Sequence, residues 1–81
     1  MEYHYKPAIL AKLAGHGICP RPGSPPELVR GFVNDLYCYE LRRLRDQLLS
    51  GAFPKHAYAA RVVALRDKYS VLALKPLQFV E

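Results

Sequence analysis

The sequence predicts an all-α fold in which a long helix, from about Pro25 to Ser50, turns back onto a second helix, from about Lys55 to Tyr69. Apolar residues recur at three- and four-residue steps along both segments, as they do on the buried face of a helix. Gly51 and Pro54 stand between the two segments and are typical of a helix end and a new start. Because the connection is short, we expect an antiparallel helical hairpin.

A short helix is predicted before the hairpin, from about Pro7 to Ala14. Pro7 is suited to the first helical position, and Gly15 to the position just past the helix end. The apolar residues that fall on one side are Ile9, Leu10 and Leu13. The preceding run from Glu2 to Tyr5 alternates polar and aromatic residues, which suits a short strand or an extended arm.

The segment from Gly17 to Pro26 is predicted to be a rigid connector, because neither a helix nor a central strand tolerates its density of proline and glycine. At its end, Ser24 is followed by two prolines and then by Glu27. A serine with a glutamate three residues later is the pattern of a capping box. We therefore expect the long helix to begin here.

The apolar stripe of the long helix drifts around the helix axis. Its members are Leu28, Val29, Phe32, Val33, Leu36, Tyr37, Leu41, Leu44 and Leu48. At 100° per residue, the first five centre on one direction and the last four centre roughly 100° away. One straight neighbour could not cover both. We expect the first helix and the connector to cover the N-terminal half, the second helix to cover the C-terminal half, and a second copy to supply any cover that is missing.

In the second helix, a stripe at heptad-like spacing is flanked by alanines that permit close helix approach. It consists of Tyr58, Val62, Leu65 and Tyr69. After Ser70 the chain is apolar without a helical stripe, and Pro76 favours an extended tail. This tail is expected to dock on the helices or to pair with Tyr3 to Tyr5. The second possibility would add a small terminal strand pair and make the fold α+β.

Length and composition indicate one small domain over residues 1–81, since 51% of the residues are hydrophobic and 23% are charged. Its two cysteines are too few for the disulfide framework of a small secreted domain, and no apolar run approaches the length of a membrane span. We therefore expect a cytoplasmic protein without a membrane partner. A net charge of +5 weakly favours anionic partners.

The residues that could form a functional surface are an exposed tyrosine and five arginines on the two helices of the hairpin. They are Tyr39, Arg42, Arg43, Arg45, Arg61 and Arg66. Arginines bind phosphates and tyrosines stack on bases, but the same composition is typical of a protein-interaction hot spot. The arginines at 42 and 43 also have acidic neighbours one helical turn away, Asp46 and Glu40, so an ordinary solvated helix face is the competing interpretation.

No pattern in the sequence predicts a metal, a cofactor or a catalytic group. His16 and Cys19 form one close pair of metal-ligand types, whereas structural zinc needs four ligands. A lone cysteine outside a family signature is a weak indication of catalysis. We therefore expect a non-enzymatic interaction or assembly module that binds another protein or itself, with nucleic-acid binding through the arginine and tyrosine residues as the alternative.

Overall fold

A computed structural model describes residues 2–81, and within this range the chain forms three α-helices. These are α1 (Pro7–Ala14), α2 (Pro26–Leu49) and α3 (Tyr58–Lys68). The remaining regular structure consists of 3₁₀ turns at Lys55–Ala57, Ser70–Ala73 and Pro76–Phe79. The predicted all-α class, the hairpin of α2 and α3, and the short N-terminal helix are confirmed.

The start of α2 lacks the predicted capping box. Pro25 occupies the N-cap position, and no side chain there caps the helix. Ser24 Oγ instead accepts a hydrogen bond from the backbone N–H of Arg21 at 3.0 Å, within the preceding turn. The serine hydroxyl is therefore held by the preceding turn and does not accept from the N–H of Glu27, the bond that a capping box requires.

The end of α2 is a Schellman motif. Gly51 has a φ of +80°, the left-handed conformation that favours glycine. The N–H of Gly51 donates to the carbonyl of Leu48 at 3.1 Å, and the N–H of Ala52 donates to that of Gln47 at 2.9 Å. The chain reverses there, and Phe53 is buried at the tip of the hairpin.

The end of α1 is also a Schellman motif, and its left-handed glycine lies two residues later than the sequence indicates. Gly15 retains helical backbone angles, and Gly17, with a φ of +77°, is the left-handed residue. The N–H of Ile18 donates to the carbonyl of Leu13 at 2.9 Å and closes the motif.

The hydrophobic core lies at the end of the molecule that contains the first half of α2. Its buried members are Tyr5, Ile9, Leu13, Val29, Val33, Tyr69, Val71 and Phe79. They come from the N-terminal arm, α1, α2, the residue after α3 and the C-terminal tail. The rest of the hairpin extends from this core, which gives an elongated molecule of 48 × 18 × 16 Å.

The C-terminal tail is not simply extended. It forms two 3₁₀ turns, Ser70–Ala73 and Pro76–Phe79, with extended backbone at Leu74 and Lys75 between them. Proline suits the first position of a helical turn as well as an edge strand, since its φ is fixed near −65°. The tail therefore curls over α2 and brings Val71 and Phe79 into the core.

The two ends of the chain meet, as expected, but only through a single antiparallel bridge between Tyr5 and Val80. The N–H of Lys6 donates to the carbonyl of Phe79 at 3.0 Å, and the N–H of Glu81 donates to that of His4 at 2.8 Å. No strand forms within residues 2–81, so the α+β alternative is wrong.

Both predicted directions of the α2 stripe are covered within the chain. Val29 and Val33 pack in the core, where the C-terminal tail covers more of α2 than the first helix and the connector that were expected there, and the second half of α2 packs on α3. Leu28 and Phe32 belong to the same predicted stripe, but they are 53% and 52% exposed. The exposed side chains of Leu28 and Phe32 therefore lie in a third direction, beside the face of α2 that packs in the core.

Candidate interaction surface

The hairpin does not bring the six predicted site residues together on one face. Arg43 and Arg61 line a common groove between α2 and α3. Arg66 borders a different cavity of about 400 Å³, next to Tyr37 and Tyr69. The remaining three, Tyr39, Arg42 and Arg45, are exposed on α2 and line neither.

The groove between α2 and α3, called here the basic groove, has a volume of about 410 Å³. Its cationic groups are Arg43, Arg61 and Lys68, and its apolar walls include Leu44 and Leu65. The groove combines positive charge with an apolar floor, which suits a small anionic group that has an apolar part.

Part of that charge is already engaged. Lys68 Nζ lies 3.1 Å from Glu40 Oε1, and this is the only ion pair among residues 2–81. The Arg61 guanidinium lies 4.4 Å from the ring centroid of Phe53, a cation–π contact at the hairpin tip. The pairs expected between Arg43 and Glu40 and between Arg42 and Asp46 are not formed, and Glu40 is turned towards α3 instead.

Tyr69 organises the junction between α1 and the hairpin. Its ring stacks on His16 with centroids 4.3 Å apart and planes 8° apart, and it also contacts the ring of Tyr37 at 5.5 Å. Burial and the adjacent Glu40 carboxylate raise the pKa of Tyr69 to about 12. His16, for which the sequence predicts no function, is therefore a packing partner of Tyr69.

The same junction lowers the pKa of Glu40. The Tyr69 hydroxyl is the largest cause, and Lys68 adds to it against an opposing effect of burial. The carboxylate is thus held ionised between a tyrosine and a lysine, on the wall of the basic groove. Its negative charge offsets one of the three cations there.

The outer face of α2 carries apolar side chains that remain half-exposed or more among residues 2–81. Leu28, Phe32 and Tyr39 are 53%, 52% and 58% exposed, and Leu49, at the helix end, is 75% exposed. With three exposed charged residues they occupy positions that alternate by four and three residues. We call this line the outer seam of α2: Leu28, Phe32, Asp35, Tyr39, Arg42, Asp46 and Leu49.

Sequence reasoning identified Tyr39 and Arg42 but missed the rest of this seam. The sequence pattern places Leu28 and Phe32 in the buried stripe, since they adjoin Val29 and Val33 on the wheel. No local signal separates them, because steps of four and three residues follow every face of a helix and contacts with the tail decide which face is buried.

The described residues carry two thiols and no metal-binding cluster. Cys19 is an exposed thiol and Cys38 a half-buried one. No three His, Cys, Asp or Glu side chains in residues 2–81 are grouped so that they could hold a metal ion. None of the helices in that range combines the length and the hydropathy needed to cross a membrane.

Residues 2–81 thus form three α-helices, the longest of which carries a solvent-exposed apolar and charged seam. Comparison of the chain with models of protein families, with curated proteins and with solved structures gave no match. The surfaces described above are therefore the basis on which a function can be proposed.

Proposed function

We propose that this protein is a non-enzymatic interaction module that binds a protein partner through the outer seam of α2. The observation that carries the proposal is the exposure of Leu28, Phe32 and Tyr39 along one line of a single helix. Isolated apolar residues on a surface need no explanation, whereas several large ones along one helix face are typical of a binding site.

The composition of the seam supports a protein partner. Apolar anchors at helical spacing are the usual means by which a helix binds a groove or another helix. Tyr39 stands three residues before Arg42 on the seam, and tyrosine and arginine are the residues most enriched at interface hot spots. The free thiols Cys19 and Cys38 are consistent with a reducing compartment, so the proposal includes a cytoplasmic location.

A photo-crosslinking amino acid at position 32 tests the proposal in cells of the native host. We expect a discrete covalent adduct, with this chain or with another protein, that disappears when Leu28→Asp is added. The matched control places the same amino acid at Lys55, an exposed position outside the seam. If position 32 forms no adduct, or forms the same products as position 55, the proposed function is wrong.

A second candidate function is nucleic-acid binding in the basic groove. The convergence of Arg43 and Arg61 on one groove favours it, together with the net charge of +5. It ranks second because Glu40 neutralises Lys68 and because Phe53 occupies one face of Arg61.

Fluorescence anisotropy with a generic single-stranded oligonucleotide distinguishes this candidate. Groove binding predicts an affinity that falls steeply with salt and is lost in the double variant Arg43→Ala with Arg61→Ala. The matched double variant Arg45→Ala with Arg66→Ala removes the same charge outside the groove and should retain most of the binding. A flat titration of the wild-type protein at low salt excludes the candidate.

A further inference from the structure

We infer that the outer seam of α2 pairs with the same seam of a second copy of this chain, antiparallel, with Asp35 of each copy against Arg42 of the other. The inference rests on the proposed function, since it names the partner of the same surface. The spacing of the seam, its charges and the registers that those charges permit all support it.

The seam stays on one side of α2 from end to end, so it can face a partner helix along its whole length. Steps of four and three residues average 3.5 residues, the period that keeps one line of side chains facing a partner helix. The seam runs from Leu28 to Leu49, which is about 32 Å at 1.5 Å per residue. All seven of its residues are exposed.

The charges on the seam have no partners within the chain. Asp35, Arg42 and Asp46 take no part in an ion pair among residues 2–81. Two acidic groups on the seam disfavour a phosphate-bearing partner such as a nucleic acid. A surface that presents one cation between two anions is matched instead by a surface of alternating charge, which another copy of the same seam provides.

The antiparallel register that centres between Asp35 and Arg42 is self-complementary. A two-fold axis at that point sets Asp35 against Arg42 of the second copy, and Arg42 against its Asp35. The same axis sets Leu28 against Leu49 at both ends of the seam, since the two pairs share one midpoint. Asp46 then faces Gly31, so it meets no like charge, and Tyr39 lies beside the axis.

Three other arrangements of the same seam bring like charges together. A shift by one heptad in one direction sets Asp35 against Asp35, and a shift in the other direction sets Arg42 against Arg42. A parallel pair in register brings both of these like-charge contacts at once. Like charges placed opposite each other are unfavourable, so the charges favour the Asp35–Arg42 register over these three arrangements.

Single-helix pairing covers little area, so the expected dimer is a reversible one. An interface below about 1,200 Å² in total belongs to the weak class. Sedimentation under reducing conditions, from low to high micromolar concentration, should therefore show a monomer–dimer equilibrium. The reductant prevents the exposed Cys19 from forming a disulfide dimer that would imitate it.

Charge reversal tests the register. Asp35→Arg and Arg42→Asp should each weaken self-association at least about tenfold, because each homodimer then holds two like-charge contacts. An equimolar mixture of the two variants should associate again as a heterodimer. In that mixture the arginine introduced in one variant faces the aspartate introduced in the other, and the two unchanged residues, Arg42 and Asp35, also face each other. Leu49→Asp, at a 75% exposed position, should weaken the dimer without any effect on the fold.

The matched controls lie on α3, outside the seam. Asp67→Arg and Arg66→Asp reverse exposed charges of the same kinds and should leave the equilibrium unchanged. Circular dichroism verifies that each variant is folded.

Three outcomes would overturn the inference: a wild-type monomer at all concentrations, equal effects of the α3 controls, or no association in the mixture of the two seam variants. The proposed function fails separately, when position 32 forms no crosslink to any protein. A wild-type monomer that still crosslinks to a different protein through position 32 would disprove self-pairing. It would still support the proposed function as an interaction module.

Discussion

The guanidinium group of Arg30 donates a hydrogen bond to the carbonyl oxygen of Leu72 at 2.7 Å. Its Nε donates a second, at 3.0 Å, to the carbonyl of Leu74. These two bonds join the first half of α2 to the C-terminal tail at the point where the tail leaves its first 3₁₀ turn. They satisfy carbonyls that would otherwise lie at the edge of the core, and they fix the tail over Val29 and Val33.

Removal of this connection should loosen the tail. Arg30→Met keeps much of the aliphatic stem but leaves both carbonyls without their donor. Because hydrogen bonds from charged groups contribute about 1.5–3 kcal/mol, we expect the free energy of unfolding to fall by about that amount. Urea denaturation measures the loss, and amide exchange should show the tail after Ser70 as the region that becomes less protected.

Arg45→Met is the matched control for this change, because Arg45 is an exposed arginine of the same helix that makes none of the hydrogen bonds found among residues 2–81. Exposed substitutions of this kind usually change stability by less than about 0.5 kcal/mol. Equal losses in the two variants would show that the bonds to the tail contribute nothing.

The tail itself contributes to the core through Phe79, which is fully buried. Phe79→Ala should lower the free energy of unfolding by about 3–5 kcal/mol, the usual range for a buried phenylalanine. That is a large part of the stability of so small a domain. Leu77→Ala changes the same 3₁₀ turn at a residue that is 79% exposed, and thermal denaturation should show almost no effect.

The helices of this chain could be predicted because the signals for them are local. Gly51 and Pro54 mark the hairpin turn, Pro7 marks the first helix, and apolar periodicity marks what lies between. The capping box at Ser24 failed for a local reason as well, since the hydroxyl had a competing donor in the preceding turn, the N–H of Arg21.

The candidate surface was harder to predict because it depends on distant contacts. Whether Leu28 or Val29 faces the core is decided by the tail, where Val71 and Phe79 arrive from more than forty residues away in the sequence. Similarly, Arg43 shares a groove with Arg61, and Arg66 does not, because of the way α3 is rotated against α2. Periodicity indicates that a helix has a buried face, but it does not assign that face to a neighbour.

Two glycines should respond in opposite ways to alanine. Gly51→Ala forces a side chain into a left-handed conformation, so we expect a loss of about 1–2 kcal/mol. Gly31 lies within α2, and a methyl group there would meet no atom within 4 Å. Gly31→Ala should therefore stabilise the protein by about 0.5–1 kcal/mol, through the higher helix propensity of alanine. Chemical denaturation of both variants measures the two effects, and the same sign for both would contradict this account of the helix end.

The junction at Tyr69 predicts a stability change in alkaline solution. Burial and the Glu40 carboxylate raise the pKa of Tyr69 from 10.0 to about 12. Between these values the folded protein keeps a proton that the unfolded chain has lost. The contribution of the Tyr69 hydroxyl to the free energy of unfolding is therefore fully present below pH 10 and falls as the pH rises towards 12. Tyr69→Phe has no hydroxyl to titrate. The decline of the wild type should thus exceed that of the variant by on the order of 2 kcal/mol, measured by urea denaturation across the interval.

Tyr39→Phe, at a 58% exposed tyrosine on the outer seam, should follow the wild-type curve. If wild type and Tyr69→Phe decline in parallel, neither burial nor the Glu40 carboxylate raises the pKa of the Tyr69 hydroxyl in the folded protein.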